Sequence, residues 1–148
     1  MGPRYAIRPA QKDELDTLYA IHRSALESYV SQTWGSWDDD FQRDFFADHW
    51  PDLRLAIDVD GDLAGFLDLD ESPERIRVEN LALAPAQQGR GIGTAILVAV
   101  QQRAALNNQP VDLQVLKVNP ARRLYERLGF RQTGETKTHY QMAWEGTL

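Results

Sequence analysis

From Gln88 to Thr94 the chain reads Gln-Gly-Arg-Gly-Ile-Gly-Thr, with glycine at 89, 91 and 93. An apolar run of strand character at residues 76–84 precedes it, and an apolar helical pattern at residues 94–106 follows. A glycine-rich turn between strand and helix aims several backbone N–H groups at one anion. Glycine has no Cβ, so the main chain can come close to a phosphate oxygen. The chemistry expected here is the binding of a phosphate-bearing ligand. Two phosphate motifs fail on spacing. The dinucleotide pattern G-x-G-x-x-G follows a first strand and wants an acidic residue about 20 positions on, whereas these glycines fall late in the chain. The nucleotide P-loop wants Gly-Lys-Ser/Thr, and Gly93 runs directly into Thr94.

Other chemistries are limited by what the chain lacks. None of its 148 residues is cysteine, which removes disulfides, thiolate zinc sites and a cysteine nucleophile. No metal is expected. The net charge of −6 argues against nucleic acid as a partner and favours a cationic small molecule or peptide. No apolar run approaches the length of a membrane span, so no membrane partner is expected. The opening MGPRYAIRPA has no apolar leader, and its sixth position is not Ser or Thr, which speaks against myristoylation of Gly2. Together with the missing cysteines, this fits a cytoplasmic protein. The length predicts one domain over residues 1–148.

The elements that must hold the loop follow from periodicity and turn residues. A short strand is expected at residues 5–8. A helix carries Leu15, Leu18, His22, Ala25 and Tyr29 on one face and stops within residues 31–37. A second helix over residues 38–49 is expected to turn Phe41, Phe45 and Trp50 to one side, with Asp38, Asp39 and Asp40 at its positive end. Two strands at residues 53–59 and 63–69 flank Asp60-Gly61, a strong hairpin signal. After the strand at 76–84 and the helix at 94–106 come a strand at 111–118 and a short helix. Asn119 is read as the cap of that helix, Pro120 as its first residue and Gly129 as its end. Strands at 130–133 and 138–144 finish the chain. The order β-α-α-β-β-β-α-β-α-β-β defines an α/β fold with a mixed, mostly antiparallel central sheet flanked by helices.

That order resembles the GNAT superfamily of acyl-CoA-dependent N-acetyltransferases. Two motifs carry the resemblance. One is Asn80-Leu-Ala-Leu-Ala-Pro85 followed by Gln88-x-x-Gly91-x-Gly93. The other is Val118-Asn-Pro-Ala-Arg-Arg-Leu-Tyr-Glu-Arg-Leu-Gly-Phe130. The resemblance implies acetyl-CoA as the cofactor and direct transfer of its acetyl group to a primary amine. A small-molecule amine and a peptide amine both qualify as acceptor. A non-catalytic acyl-CoA-binding regulatory module, or an enzyme acting on protein N-termini or lysines, fits the same motifs. A homodimer formed through the final strands also belongs to the family's repertoire.

The resemblance also assigns sites. The cofactor pyrophosphate would lie on the N–H groups of Gly89, Arg90, Gly91, Ile92, Gly93 and Thr94, with Gln88 at the loop entry. Arg90 and Arg122 would add charge-assisted contacts. The strand before the loop splays from its neighbour in the family, so the backbone of Leu81, Ala82 and Leu83 would pair with the pantetheine arm. Asn119 would contact the cofactor. Tyr125 matches the family's general acid. Glu79 is the candidate general base, although some members place that base where Arg77 stands here; its plainer reading is an ion pair with a neighbouring arginine. Trp34, Trp37 and His139 are candidates for the acceptor side, with core packing as the plainer reading for the tryptophans. His22, on an apolar stripe, is expected to be packed and hydrogen-bonded. Arg122, Arg123 and Arg127 otherwise form a solvated face.

Overall fold

The computed structural model describes residues 3–146. Met1 and Gly2, on which the myristoylation argument rests, lie outside the described residues. The chain forms two compact units that interleave in sequence: Met1–Asp68 with Asn80–Gly93, and Leu69–Glu79 with Thr94–Leu148. Among the described residues seven strands, numbered in chain order as β1 (Tyr5–Pro9), β2 (Leu53–Val59), β3 (Asp62–Glu71), β4 (Ile76–Leu83), β5 (Val111–Leu116), β6 (Arg131–Glu135) and β7 (His139–Trp144), run in the order β1-β2-β3-β4-β5-β7-β6 and, with four helices, give the expected mixed and mostly antiparallel sheet. Among the described residues, no helix is long and apolar enough to cross a membrane.

In the first unit β1 (Tyr5–Pro9) pairs antiparallel with β2 (Leu53–Val59), from Tyr5↔Val59 to Pro9↔Leu55. The link from β2 to β3 (Asp62–Glu71) is the expected Asp60-Gly61 turn, with φ of 50° and 91°. Both residues are left-handed, as a tight hairpin requires. Helix α1 (Leu15–Trp34) ends inside the expected stretch 31–37. Ser31 to Trp34 stay helical because their polar groups are satisfied within the helix: Thr33 Oγ1 donates to the Tyr29 carbonyl at 2.8 Å and Gln32 donates to Ser28 Oγ at 3.0 Å. The stop comes at Gly35, whose φ of 95° no β-carbon residue adopts cheaply.

Helix α2 (Asp39–Asp48) is capped by Asp38, whose carboxylate accepts the Phe41 N–H at 3.1 Å. Its buried face differs from expectation. Phe46, not Phe41 or Phe45, enters the core, where it meets Tyr19 of α1 and Phe66 of β3; Phe41 is 61% exposed and Phe45 50%. The i, i+4 stripe was legible, but one residue turns a helix by about 100°, and packing chose the adjacent stripe. Leu18, Tyr19, Ile21, Phe46, Phe66 and Ala82 form this core, with Trp50 and Trp37 packed at its edge.

In the second unit the start of β4 (Ile76–Leu83) pairs parallel with β5 (Val111–Leu116), from Ile76↔Val111 to Val78↔Leu113. β5 pairs antiparallel with β7 (His139–Trp144), and β7 with β6 (Arg131–Glu135), with a bulge between Gln132 and Gly134. Strand β5 ends two residues short of the expectation because the chain turns back, Asn119 N–H bonding the Leu116 carbonyl at 2.9 Å. Helix α3 (Ile92–Leu106) starts two residues before the expected Thr94. Helix α4 (Arg122–Arg127) starts after Pro120 rather than at it. Asn119 does cap this turn, but through the Ala121 N–H at 2.9 Å, which keeps Pro120 and Ala121 ahead of the helix. Gly129, with φ of 93°, ends it as predicted: the Gly129 N–H bonds Glu126 O and the Phe130 N–H bonds Tyr125 O, both at 3.0 Å.

Candidate active site

The loop at residues 88–94 is a shaped cradle. Ala84 N–H bonds the Ala64 carbonyl at 2.7 Å at the end of β4. Gly65 of β3 must be glycine, since a Cβ there would lie 2.4 Å from the Ala82 carbonyl oxygen. A 3-10 turn, Pro85–Gln87, leads into the loop, and Gln88 Nε2 donates back to the Leu83 carbonyl at 3.0 Å. Gly89 and Gly91 are left-handed, with φ of 74° and 81°. An added Cβ at either would meet nothing within 4 Å, so backbone conformation rather than crowding demands glycine there. At Gly93 a Cβ would meet only Leu83 Cδ1, at 4.0 Å. The space before the loop is therefore open, which fits a bulky anion. Ile92 is buried and anchors the helix start, while Arg90 is exposed and held by Gln87 Oε1 at 2.5 Å. The first N–H groups of α3 have no carbonyl partner within their own helix, so the cradle carries positive potential.

In the second unit Tyr125 stands on α4, half-buried, with its ring edge-on to Phe130 at 6.0 Å. Burial pushes its phenol above the usual value of 10, so it stays protonated at neutral pH. Beside the start of α4 lies a cleft of about 330 Å³ lined by Lys117, Asn119, Arg122, Arg123 and Tyr140. The Arg122 guanidinium lies 4.1 Å from the Tyr140 ring centre and the Lys117 ammonium 5.4 Å away. Both cations are also neutralised, Arg122 by Glu126 and Lys117 by Glu135, each at 2.6 Å. The solvated face assigned to these arginines is thus correct for exposed Arg123, while Arg122 is tied into the cleft wall. Lys117 was missed by sequence reasoning, though its place just before Val118-Asn119 was a usable signal.

Glu79 is exposed on β4. Its expected arginine partner is taken: Arg77 Nε donates to Asp112 at 2.8 Å, and no ion pair among the described residues involves Glu79. Arg77, at the position where some relatives carry a base, is fixed as a cation by the same carboxylate, which raises its pKa. His139 is half-buried at the start of β7, its N–H bonded to Thr136 Oγ1 at 3.0 Å, and burial lowers its pKa. Trp34 is 57% exposed at the end of α1. Trp37 is committed to the core edge, where its indole N–H reaches Tyr19 Oη at 3.1 Å and Asp39 Oδ1 at 3.3 Å.

Sequence reasoning also missed a buried polar cluster in the first unit. Arg54 of β2 and Asp68 of β3, 4% and 1% exposed, form a two-pronged ion pair with both contacts at 2.8 Å. Asn80 of β4 donates to the same carboxylate at 2.9 Å, so three strands are pinned together. The guanidinium lies over the Phe46 ring, 4.0 Å from its centre. His22 stacks on Phe46, with ring centres 4.8 Å apart. Packing is as expected, but the expected hydrogen bond is missing: His22 Nδ1 is buried without a partner. Burial first, and then the Arg54 charge, lower its pKa to about 4, so His22 is neutral. Nothing local in the sequence pairs Arg54 with Asp68; only the hairpin register does.

Mixed sheet, glycine loop and following helix define a class of α/β proteins with a strand–loop–helix unit at the centre of the chain. The chain belongs to the acetyltransferase (GNAT) family, whose model matches residues 15–130. A mycothiol acetyltransferase of Clavibacter michiganensis subsp. michiganensis (strain NCPPB 382) is 37% identical over 127 residues, which are 80% of this chain and 40% of that protein. The chain thus spans about two fifths of the length of the mycothiol acetyltransferases it matches. A putative ribosomal protein bS18-alanine N-acetyltransferase of Bacillus subtilis (strain 168) is 26% identical over 150 residues, covering 100% of this chain and 95% of that one. In fold, the crystal structure of PaiA N-acetyltransferase from Thermoplasma acidophilum in complex with coenzyme A superposes with a TM-score of 0.76 at 17% identity, covering 96% of this chain and 99% of that one.

Proposed function

We propose that this chain transfers an acetyl group from acetyl-CoA to a primary amine, directly and without an acyl-enzyme. The observation that carries the proposal is the cradle: two left-handed glycines and an open Gly93 at a helix start, in a chain of this family. The N–H groups from Gly89 to Thr94 hold the pyrophosphate, and Arg90 adds charge. Beyond Val78, whose partner on β5 is Leu113, strand β4 continues to Leu83, which supports the backbone of Leu81, Ala82 and Leu83 as the track for the pantetheine arm. Asn119 and Arg122 complete the cofactor contacts. Acetyl-CoA supplies an activated acyl carbon and a thiolate leaving group.

The residues of this chain divide the proton work. The exposed, unpaired Glu79 takes a proton from the acceptor ammonium, whose neutralisation at pH 7 costs roughly 4–5 kcal/mol for an amine of pKa near 10.4. The amine nitrogen then bonds to the acyl carbon, the C–S bond breaks and Tyr125 gives its phenolic proton to the sulfur; the second proton shed by the nitrogen returns through solvent to the Tyr125 oxygen, leaving a neutral amide and a free thiol. Holding both substrates together makes the step effectively unimolecular. The acceptor is an amine of a small molecule or a peptide; Trp34 and His139 are its candidate contacts, and Trp37, committed to the core edge, is not. Calorimetry with coenzyme A, paired with thiol release across a panel of amines, tests the proposal. Binding with turnover supports it, binding with no turnover on any amine leaves a non-catalytic acyl-CoA module, and absence of binding refutes it.

A further inference from the structure

The outer face of α2 carries two parallel stripes made of residues other than those assigned to acetyl transfer above. Phe41, Phe45 and His49 follow at i, i+4 spacing, all exposed, with Phe41–Phe45 centroids 6.1 Å apart and His49 stacked on Phe45 at 3.9 Å. Asp40, Asp44 and Asp48, each one residue earlier, form the second stripe and are exposed as well. None of the three aspartates joins an ion pair among the described residues. The arginine of this helix, Arg43, is drawn off to Asp16 of α1.

This arrangement is unfavourable for α2 on its own. Like charges at i, i+4 repel along a helix. Asp48 lies in the last turn, which has no basic residue and where the helix dipole disfavours an anion. Exposed phenylalanines gain nothing from water. One occupant relieves all three costs: a segment with cations at helical spacing and apolar side chains beside them. A second copy of this chain presenting the same face would set aspartate against aspartate, so charge complementarity selects a basic partner. We propose that the outer face of α2 docks a lysine- or arginine-rich amphipathic segment of a partner protein, with apolar side chains on Phe41 and Phe45 and cations on Asp40, Asp44 and Asp48. The inference rests on α2 alone and stands apart from the acetyl-transfer proposal.

The test is fluorescence anisotropy with a labelled amphipathic peptide of repeating Lys-Leu-Leu-Lys units, and with its counterpart carrying Glu for Lys. The lysine peptide is expected to bind, and less tightly as salt rises. The combined variant Asp40→Asn, Asp44→Asn, Asp48→Asn should weaken it about tenfold, and Phe41→Ser with Phe45→Ser should weaken it at every salt concentration. A charge-matched control, Asp52→Asn, Asp62→Asn, Glu74→Gln, removes three exposed acids elsewhere and should leave binding unchanged. Circular dichroism confirms that these surface variants fold. Any of four results overturns the proposal: no binding of the lysine peptide, equal binding of the glutamate peptide, equal weakening by the control, or a wild-type dimer in sedimentation that Phe41→Ser with Phe45→Ser abolishes.

Discussion

Replacing Tyr125 with Phe removes one oxygen atom and isolates the acid step. The hydroxyl makes no hydrogen bond within the described residues, and the edge contact with Phe130 survives the change. Stability should therefore stay within about 0.5 kcal/mol of the parent. The catalytic cost can be bounded. Burial holds the phenol above 10, and a departing thiol titrates near 8.5, so full proton transfer is uphill by at least roughly 2 kcal/mol. The phenol then helps only as negative charge gathers on sulfur while the C–S bond breaks. General acids contribute about 10²–10⁴-fold, and an uphill transfer places Tyr125 at the lower end, near 10²-fold or about 3 kcal/mol. The assay is thiol release at saturating acetyl-CoA from about pH 6 to about pH 9, with coenzyme A affinity from calorimetry. The expected result is kcat lowered about 10²-fold at every pH, with Kd changed by less than about twofold. A kcat within about threefold of the parent, or a loss confined to Kd, would refute the acid role.

Three further outcomes follow from other parts of the molecule. Gly91→Ala should cost about 1–2 kcal/mol for its left-handed backbone and weaken coenzyme A binding at least about tenfold, whereas Gly61→Ala, strained at a φ of 91° in the hairpin, should cost similar stability with unchanged affinity; equal affinities in the two variants would remove the cradle's role. Glu79→Gln should leave the melting temperature unchanged and lower kcat/KM about 10²-fold at pH 7, with part of the rate recovered as rising pH deprotonates the acceptor; an unchanged kcat/KM sinks the base assignment. His22 has a folded pKa near 4 against 6.5 unfolded, so the unfolded chain binds more protons between those values and stability falls as pH drops through that window, by roughly 3 kcal/mol in full. His22→Phe should flatten that part of the profile in urea melts, and parallel profiles for the two proteins would contradict it.

Much of this molecule was legible because the signals are local. Asp60-Gly61, Gly35 and Gly129 set turns and helix ends through backbone conformation alone, and each stands where its residue type predicts. The glycines of the cradle were readable for the same reason. Asn119 was recognised as a cap, although the bond it makes moved the helix start past Pro120. Local signals failed where a choice depended on what lies opposite. The aromatic spacing of α2 allowed two faces, and the pocket beside Tyr19 and Phe66 selected Phe46.

The sequence by itself determined the order of elements, the glycine loop between β4 and α3 and the residue types able to move protons, because turn conformation, helix caps and strand periodicity depend on neighbours along the chain. Tertiary structure alone decided which charges neutralise one another. It gave Arg77 to Asp112 and left Glu79 without a salt bridge among the described residues. It sealed Arg54 against Asp68 and Asn80 beneath an aromatic layer. It left His22 neutral and stacked, and it turned Phe41 and Phe45 to the outside. Those outcomes depend on register and burial, which bring together residues far apart in sequence and set the local dielectric that fixes their charge.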